Sequence, residues 1–151
     1  MKTLYFFFLV LLSVFGASSF DAKAQSTSAS ERSIIINKKG EIFDHGWNKL
    51  GYITSDNIAK NNKGKTIYFI NKNGNVIDAN GKNLGRAAKN GNYYNLSGEN
   101  VITVRDKNAE ECDILDPQGH KLGTVHKNYK LHACATHCFF LAKEKEKRVG
   151  N

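Results

Sequence analysis

The densest set of reactive side chains lies near the C-terminus, in His132-Ala133-Cys134-Ala135-Thr136-His137-Cys138, with Cys112, His120 and His126 upstream. Thiolate and imidazole donors at such spacing can ligate zinc or another soft metal. His132, Cys134, His137 and Cys138 are therefore the candidate metal ligands. On an extended strand, however, His132, Cys134 and Thr136 share one face, and His137 joins Ala133 and Ala135 on the other. One strand does not aim all four at a single ion. A disulfide is the competing chemistry. Thiols in oxidising compartments more often end paired, so Cys112 is expected to bridge to Cys134 or Cys138. Three cysteines leave at least one thiol over within the monomer, either buried or able to cross-link a second molecule.

Tyrosines supply a second chemistry. Tyr52, Tyr68, Tyr93 and Tyr94 fall near hairpin positions, and exposed aromatics there would stack on sugar rings. Gly64-Lys65-Thr66-Ile67-Tyr68-Phe69 is superficially similar to cell-wall-binding repeats, although those use Trp and this chain has only Trp47. Packing between neighbouring hairpins is the simpler use of the same rings. An Asp/Asn series, Asp44, Asn61, Asp78, Asn95 and Asp116, could cage a hard cation with its oxygens, but loop capping accounts for all five. No catalytic set emerges. The serines cluster in the N-terminal stretch away from any His, no Gly-rich phosphate loop precedes a helix, and HExxH is absent. Glu110, Glu111, Asp113 and Asp116 are expected to be a solvated acidic patch. No cofactor is expected.

These side chains are positioned by a 17-residue repeat. Leu50, Ile67, Leu84 and Val101 are evenly spaced, as are Gly40, Asn57, Gly74 and Gly91. A further copy, Asp116, Gly119, Leu122 and Val125, follows a four-residue insertion placed at residues 107–116. A unit this short is one β-hairpin, which cannot bury a core alone. Asn73-Gly74, Asn80-Gly81 and Asn90-Gly91 mark tight turns, and helix signals are almost absent. The expected fold is all-β: about five short β-hairpin repeats around a pseudo-symmetry axis, closed or nearly closed because closure removes aggregation-prone edges.

Units such as Leu50-Gly51-Tyr52-Ile53, followed by a four-residue turn and a strand closing in Asp or Asn, resemble the five-fold β-flower family of small exported bacterial proteins. The aromatic end of an expected last strand, Cys138-Phe139-Phe140-Leu141, is similar to that family's layout. The resemblance spans about residues 33–142 and implies five hairpin petals around an axis. It implies no activity. The insertion, the cysteines and the loss of Gly in Ile67-Tyr68 and Val101-Ile102 depart from the pattern.

Export is the remaining expectation. Lys2, the apolar run from Leu4 to Phe15 and Ala22-Lys23-Ala24 form a signal-peptide pattern over residues 1–24. That run of roughly 12 residues is short of the about 20 needed to span a bilayer. Residues 25–32 read as a flexible lead-in, 33–142 as the repeat domain and 143–151 as a disordered charged tail. The formal charge of +8 favours acidic partners, but the lysines are scattered through turns, which argues against nucleic acid. The sequence thus points to an exported, non-enzymatic binding or structural module of the bacterial cell envelope, periplasmic or extracellular, partnered by an envelope polymer or protein. A glycan-binding module and a metal or redox protein are the alternatives.

Overall fold

The computed structural model describes residues 33–140. The expected signal peptide, lead-in and charged tail lie outside the described residues, as do the last two positions of the repeat domain. Eleven strands are present among the described residues: β1 (Ile34–Ile36), β2 (Glu41–Phe43), β3 (Lys49–Ile53), β4 (Ile58–Asn61), β5 (Thr66–Ile70), β6 (Asn75–Asp78), β7 (Asn83–Ala87), β8 (Tyr93–Tyr94), β9 (Asn100–Asp106), β10 (Glu111–Leu115) and β11 (Lys121–His126). They form one closed barrel. Each strand pairs antiparallel with the next. With an odd number of strands, the closing pair must run the same way, and β1 lies parallel to β11 with Ile34, Ile35 and Ile36 opposite Gly123, Thr124 and Val125. The hairpins are therefore joined to one another by backbone ladders.

Alternation sets the inner face. Ile34 and Ile36, Ile53, Ile70, Ala87, Ile102 and Val104, Cys112 and Ile114, and Val125 are all buried. The turns lie at two rims. At the rim after β2, β4, β6, β8 and β10, each Asp or Asn of the sequence series caps its own loop. Asn61 Oδ1, for example, accepts the N–H groups of Lys63 (2.9 Å) and Lys65 (3.0 Å). Asp78, Asn95 and Asp116 do the same two and four residues on, and Asp44 accepts from Asn48. Side-chain acceptors of this kind replace the backbone partners a tight loop loses. They are occupied by their own loops, and nothing gathers them around an ion.

The periodic Leu/Ile/Val positions have an unexpected role. The pairing register slips by one residue at Leu50, Ile67, Leu84, Val101 and Leu122, each skipped between two paired neighbours. Each is thus the extra residue of a β-bulge, which bends a strand and re-aims its side chains. Leu50, Leu84, Val101 and Leu122 are partly buried and pack against the core, and Ile67 is buried within it. Where a glycine follows the bulge, it approaches the neighbouring strand closely. A Cβ on Gly51 would run into the Lys60 carbonyl, and one on Gly123 into that of Ile34. The two departures from Gly, Tyr68 and Ile102, instead send buried side chains inward.

The end of the described chain corrects the expected last strand. After β11 the chain forms a 3₁₀ helix, Lys127–His132, and residues 133–140 are α-helical. Ala133, Cys134, Ala135, Thr136 and His137 are at most 1% exposed. A helical stretch buried on every side, as residues 133–137 are, belongs inside the cylinder. The 3₁₀ turn crosses one rim, with Tyr129 against Gly40 and Lys130 bonded to Asp106 at 2.7 Å. The physical reason is that the wall position beside β11 is already taken by β1, so the chain turns inward. Small side chains let it fit. Phe139 and Phe140 meet edge-on at 5.5 Å near the far end, where Phe139 also meets Tyr68.

Two outcomes follow. A chain ending at His126 leaves the lumen unfilled and should lose cooperative unfolding and bind a hydrophobic dye; a sharp urea transition would contradict the helix's role. Gly123→Ala forces the closing strands apart and should cost about 1–3 kcal/mol, as overpacking does, read from the urea midpoint.

Candidate functional site

The C-terminal Cys/His cluster lies in the lumen. His132 and Thr136, one helical turn apart, both reach the Tyr68 hydroxyl. Tyr68 Oη lies 2.6 Å from Thr136 Oγ1 and 3.1 Å from His132 Nδ1. His132 Nε2 lies 3.2 Å from Asn57 Oδ1. Burial pulls the His132 pKa down to about 4, so the ring is neutral near pH 7. Its one proton sits on Nε2 and is donated to Asn57. Nδ1 then accepts from the Tyr68 hydroxyl, whose oxygen accepts from Thr136. Burial also pushes the Tyr68 hydroxyl well above its ordinary range. Every group in this chain is matched, so it fastens the helix to the wall and offers nothing to a substrate.

The sulfur chemistry differs from the expectation. Cys112, Cys134 and Cys138 are all free thiols, and no bridge joins Cys112 to either partner. The Cys134 thiol donates to the Gly91 carbonyl at 2.6 Å, and that of Cys112 to the Asp106 carboxylate at 3.2 Å. Burial raises the Cys134 pKa and pushes Cys138 up to about 12. Cys112 is raised first by burial and then by its bond to Asp106. Metal ligation and nucleophilic attack need the thiolate. Among the described residues, no three His, Cys, Asp or Glu side chains are gathered to hold a metal ion, so His132, Cys134, His137 and Cys138 do not come together as ligands.

The tyrosines divide. Tyr68 and Tyr93 are 0% and 3% exposed, because the closed wall points them inward, and neither can stack on a ligand in solvent. Tyr93 donates to the Leu84 carbonyl at 2.7 Å. Tyr52 and Tyr94 remain half-buried on the outside, where the Arg86 guanidinium lies 4.9 Å from the Tyr94 ring centroid.

A cleft of about 480 Å³ lies on the outer face over the closing seam. Its floor is Ile35 and Thr124, paired across that seam. One wall is the tip of the β9–β10 hairpin. The insertion proves to be an extension of paired strands: β9 has seven residues where β3, β5 and β7 have five. Asn108 Oδ1 fixes the tip by accepting the N–H groups of Glu110 (2.9 Å) and Glu111 (2.8 Å). Trp47 and the Asn37–Lys38 turn border the cleft too. Lys38 reaches Glu110 at 3.4 Å, and Lys107 pairs with Glu111 at 3.0 Å. His126 completes the lining. Its Nδ1 accepts the Asn128 N–H at 3.3 Å. Its Nε2 atom is buried without a partner among the described residues.

Trp47 decides the choice of site. It takes φ 60°, a left-handed backbone that the repeat gives to Gly64, Gly81 and Gly98 at the matching positions. A bulky residue there carries backbone strain. Its ring is nevertheless 67% exposed, with a tilted contact to Phe43 at 5.8 Å, so core burial does not offset the strain. No protein-family model, no curated protein and no solved structure matches the chain. The cleft therefore stands on its own chemistry. Sequence reasoning passed over Ile35, named His126 only beside the Cys/His cluster and named Trp47 only as the lone tryptophan. Aligning Trp47 with Gly64, Gly81 and Gly98 would have flagged it.

Tyr68→Phe strips the shared hydroxyl from His132 and Thr136 and should cost about 1–3 kcal/mol in denaturant unfolding. The His132 pKa falls from 6.5 unfolded to about 4 folded, so the unfolded chain binds the extra proton between those values. Stability should thus be full above about pH 7 and decline as pH drops toward 4, with His132→Gln flattening the decline.

Proposed function

We propose that the protein is an exported, non-enzymatic binding module of the bacterial cell envelope, and that the seam cleft is its binding surface. Trp47 carries this reading: a strained residue exposed beside a concave site is a liability to folding and an asset to recognition. The lumen is filled, which leaves the outer face for contacts. The hairpin extension supports the same reading, since the one copy that breaks the repeat also walls the cleft. We read the wall as about five hairpin units around an axis, in keeping with the β-flower resemblance. The metal or redox alternative has less support, because burial keeps the thiols protonated.

Trp47→Gly restores the residue found in the other copies. The variant should keep the melting temperature of the parent or exceed it slightly, and should no longer sediment with washed envelope fragments. Equal sedimentation of both proteins would remove the cleft from this reading.

A further inference from the structure

We propose that the outer wall over β4–β7 docks onto an anionic phospholipid surface, with its lysines among the headgroups and the row Ile58, Phe69 and Ile77 against the edge of the acyl layer. This face shares no residue with the seam cleft. Its first support is the distribution of charge. Along the sequence the lysines are scattered through turns, but closure of the barrel sorts them. Residues 54–105 carry eight Lys and Arg against three carboxylates, Asp56, Asp78 and Glu99. The remaining described residues balance, seven against seven. Pairing differs as well. Six of the seven lysines on the balanced side hold a carboxylate, as Lys49 holds Glu41 and Lys121 holds Asp113. Among the described residues, none of the eight cations within 54–105 forms an ion pair. Two of the three carboxylates there are occupied locally. Asp78 Oδ1 accepts the N–H groups of Asn80 and Lys82, each at 2.9 Å, and Glu99 accepts from the Asn95 amide at 2.7 Å. A positive field that the fold leaves uncompensated attracts anions.

The second support is an apolar row within that field. Ile58 on β4 stands opposite Phe69 on β5, and Phe69 opposite Ile77 on β6. Their neighbours Ala59, Ile70 and Val76 are buried, so alternation turns the row outward. Phe69 is 36% exposed, and Ile58 and Ile77 are half-buried. Cations ring the row. Lys63 and Lys65 follow β4 and Lys82 follows β6 at one rim, Lys72 follows β5 at the other, and Lys60 and Arg86 flank the row on β4 and β7. Phosphates above acyl chains have the same division. Other anions use only part of the face. A sulfated or uronic-acid polymer would take the lysines and leave the row in water. A single strand of nucleic acid stacks on successive open rings, but Phe69 lies between two isoleucines, and the Arg86 guanidinium covers the Tyr94 ring at 4.9 Å from its centroid.

The apolar run Leu4–Phe15 of the full chain can enter a bilayer by itself, so the reporter belongs on the face. In a Trp47→Phe background, Phe69→Trp puts the only indole on the row. Vesicles of phosphatidylglycerol in phosphatidylcholine, with brominated acyl chains, should quench it. The quenching should vanish in about 1 M salt, where the screening length falls to about 3 Å, and pure phosphatidylcholine should give none. Adding Lys63→Gln, Lys72→Gln and Lys82→Gln, all at exposed loop positions, should weaken partitioning on the order of a hundredfold, at about fivefold per lysine, with the melting temperature unchanged. Absence of quenching by the anionic vesicles overturns the proposal. So does quenching that is equal on neutral vesicles, or that the triple substitution or salt leaves unmoved. Tighter binding to a sulfated polysaccharide or to an oligonucleotide than to the vesicles overturns the lipid assignment. Envelope sedimentation in about 1 M salt screens this contact and reads the cleft alone. The triple variant should sediment there as the parent does, so failure of either surface leaves the other standing.

Discussion

A cylinder of eleven short strands encloses more space than its inward side chains can fill. About eight strands is the size at which side chains alone suffice. Here the surplus is taken by the chain's own helical segment, residues 133–140. That constraint explains several local choices together. Ala133, Cys134, Ala135 and Thr136 are slim enough to stand on the axis, while the wall supplies Ile36, Ile42, Ile114 and Val125 as bulk. Because the core is wall against helix, the buried polar chain through Tyr68 can fix the helix's position along the axis. Apolar packing alone tolerates sliding; a matched set of hydrogen bonds does not.

The filled lumen also decides where recognition can occur. A wider barrel uses its mouth or interior to hold ligands. This one has spent its interior on stability, and its concave surface lies instead where two unlike strands meet. Among the described strands, the seam is the one place where the antiparallel order fails, and the extended β9–β10 hairpin stands beside it. Irregularity in the wall and irregularity in the repeat therefore coincide, and the residue with the strained backbone borders both.

Much of the fold was legible. The period, the Asn-Gly turns and the capping Asp and Asn positions all follow from local chemistry, and they appear at the rims where the spacing puts them. Closure could be expected from the cost of open edges. The bulges were hidden, because a Leu or Val repeated every seventeen residues reads as ordinary core; only the pairing register shows that each is an extra residue. The terminal helix was missed for a different reason. His132 and Thr136, like Cys134 and Cys138, are spaced one helical turn apart, and Ala133 and Ala135 favour helix. Against four preceding hairpins, that short signal lost to the expectation of another strand. The metal and disulfide readings rested on residue type, spacing and compartment, none of which shows how deeply Cys112 and Cys134 are buried. Trp47 was visible as the only tryptophan, but its meaning depends on a backbone angle.

Sealing the wall through β1 and β11 ties the first described strand to the last. Nearly all the intervening chain must emerge before that junction can form, and contacts so distant in sequence form slowly. Until Lys121–His126 is available, β1 has a free flank and the axis is empty. Folding is thus deferred until β11 has emerged, with the final pairing acting as a clasp. A polypeptide held open that long remains threadable, which suits any route that moves it before it sets.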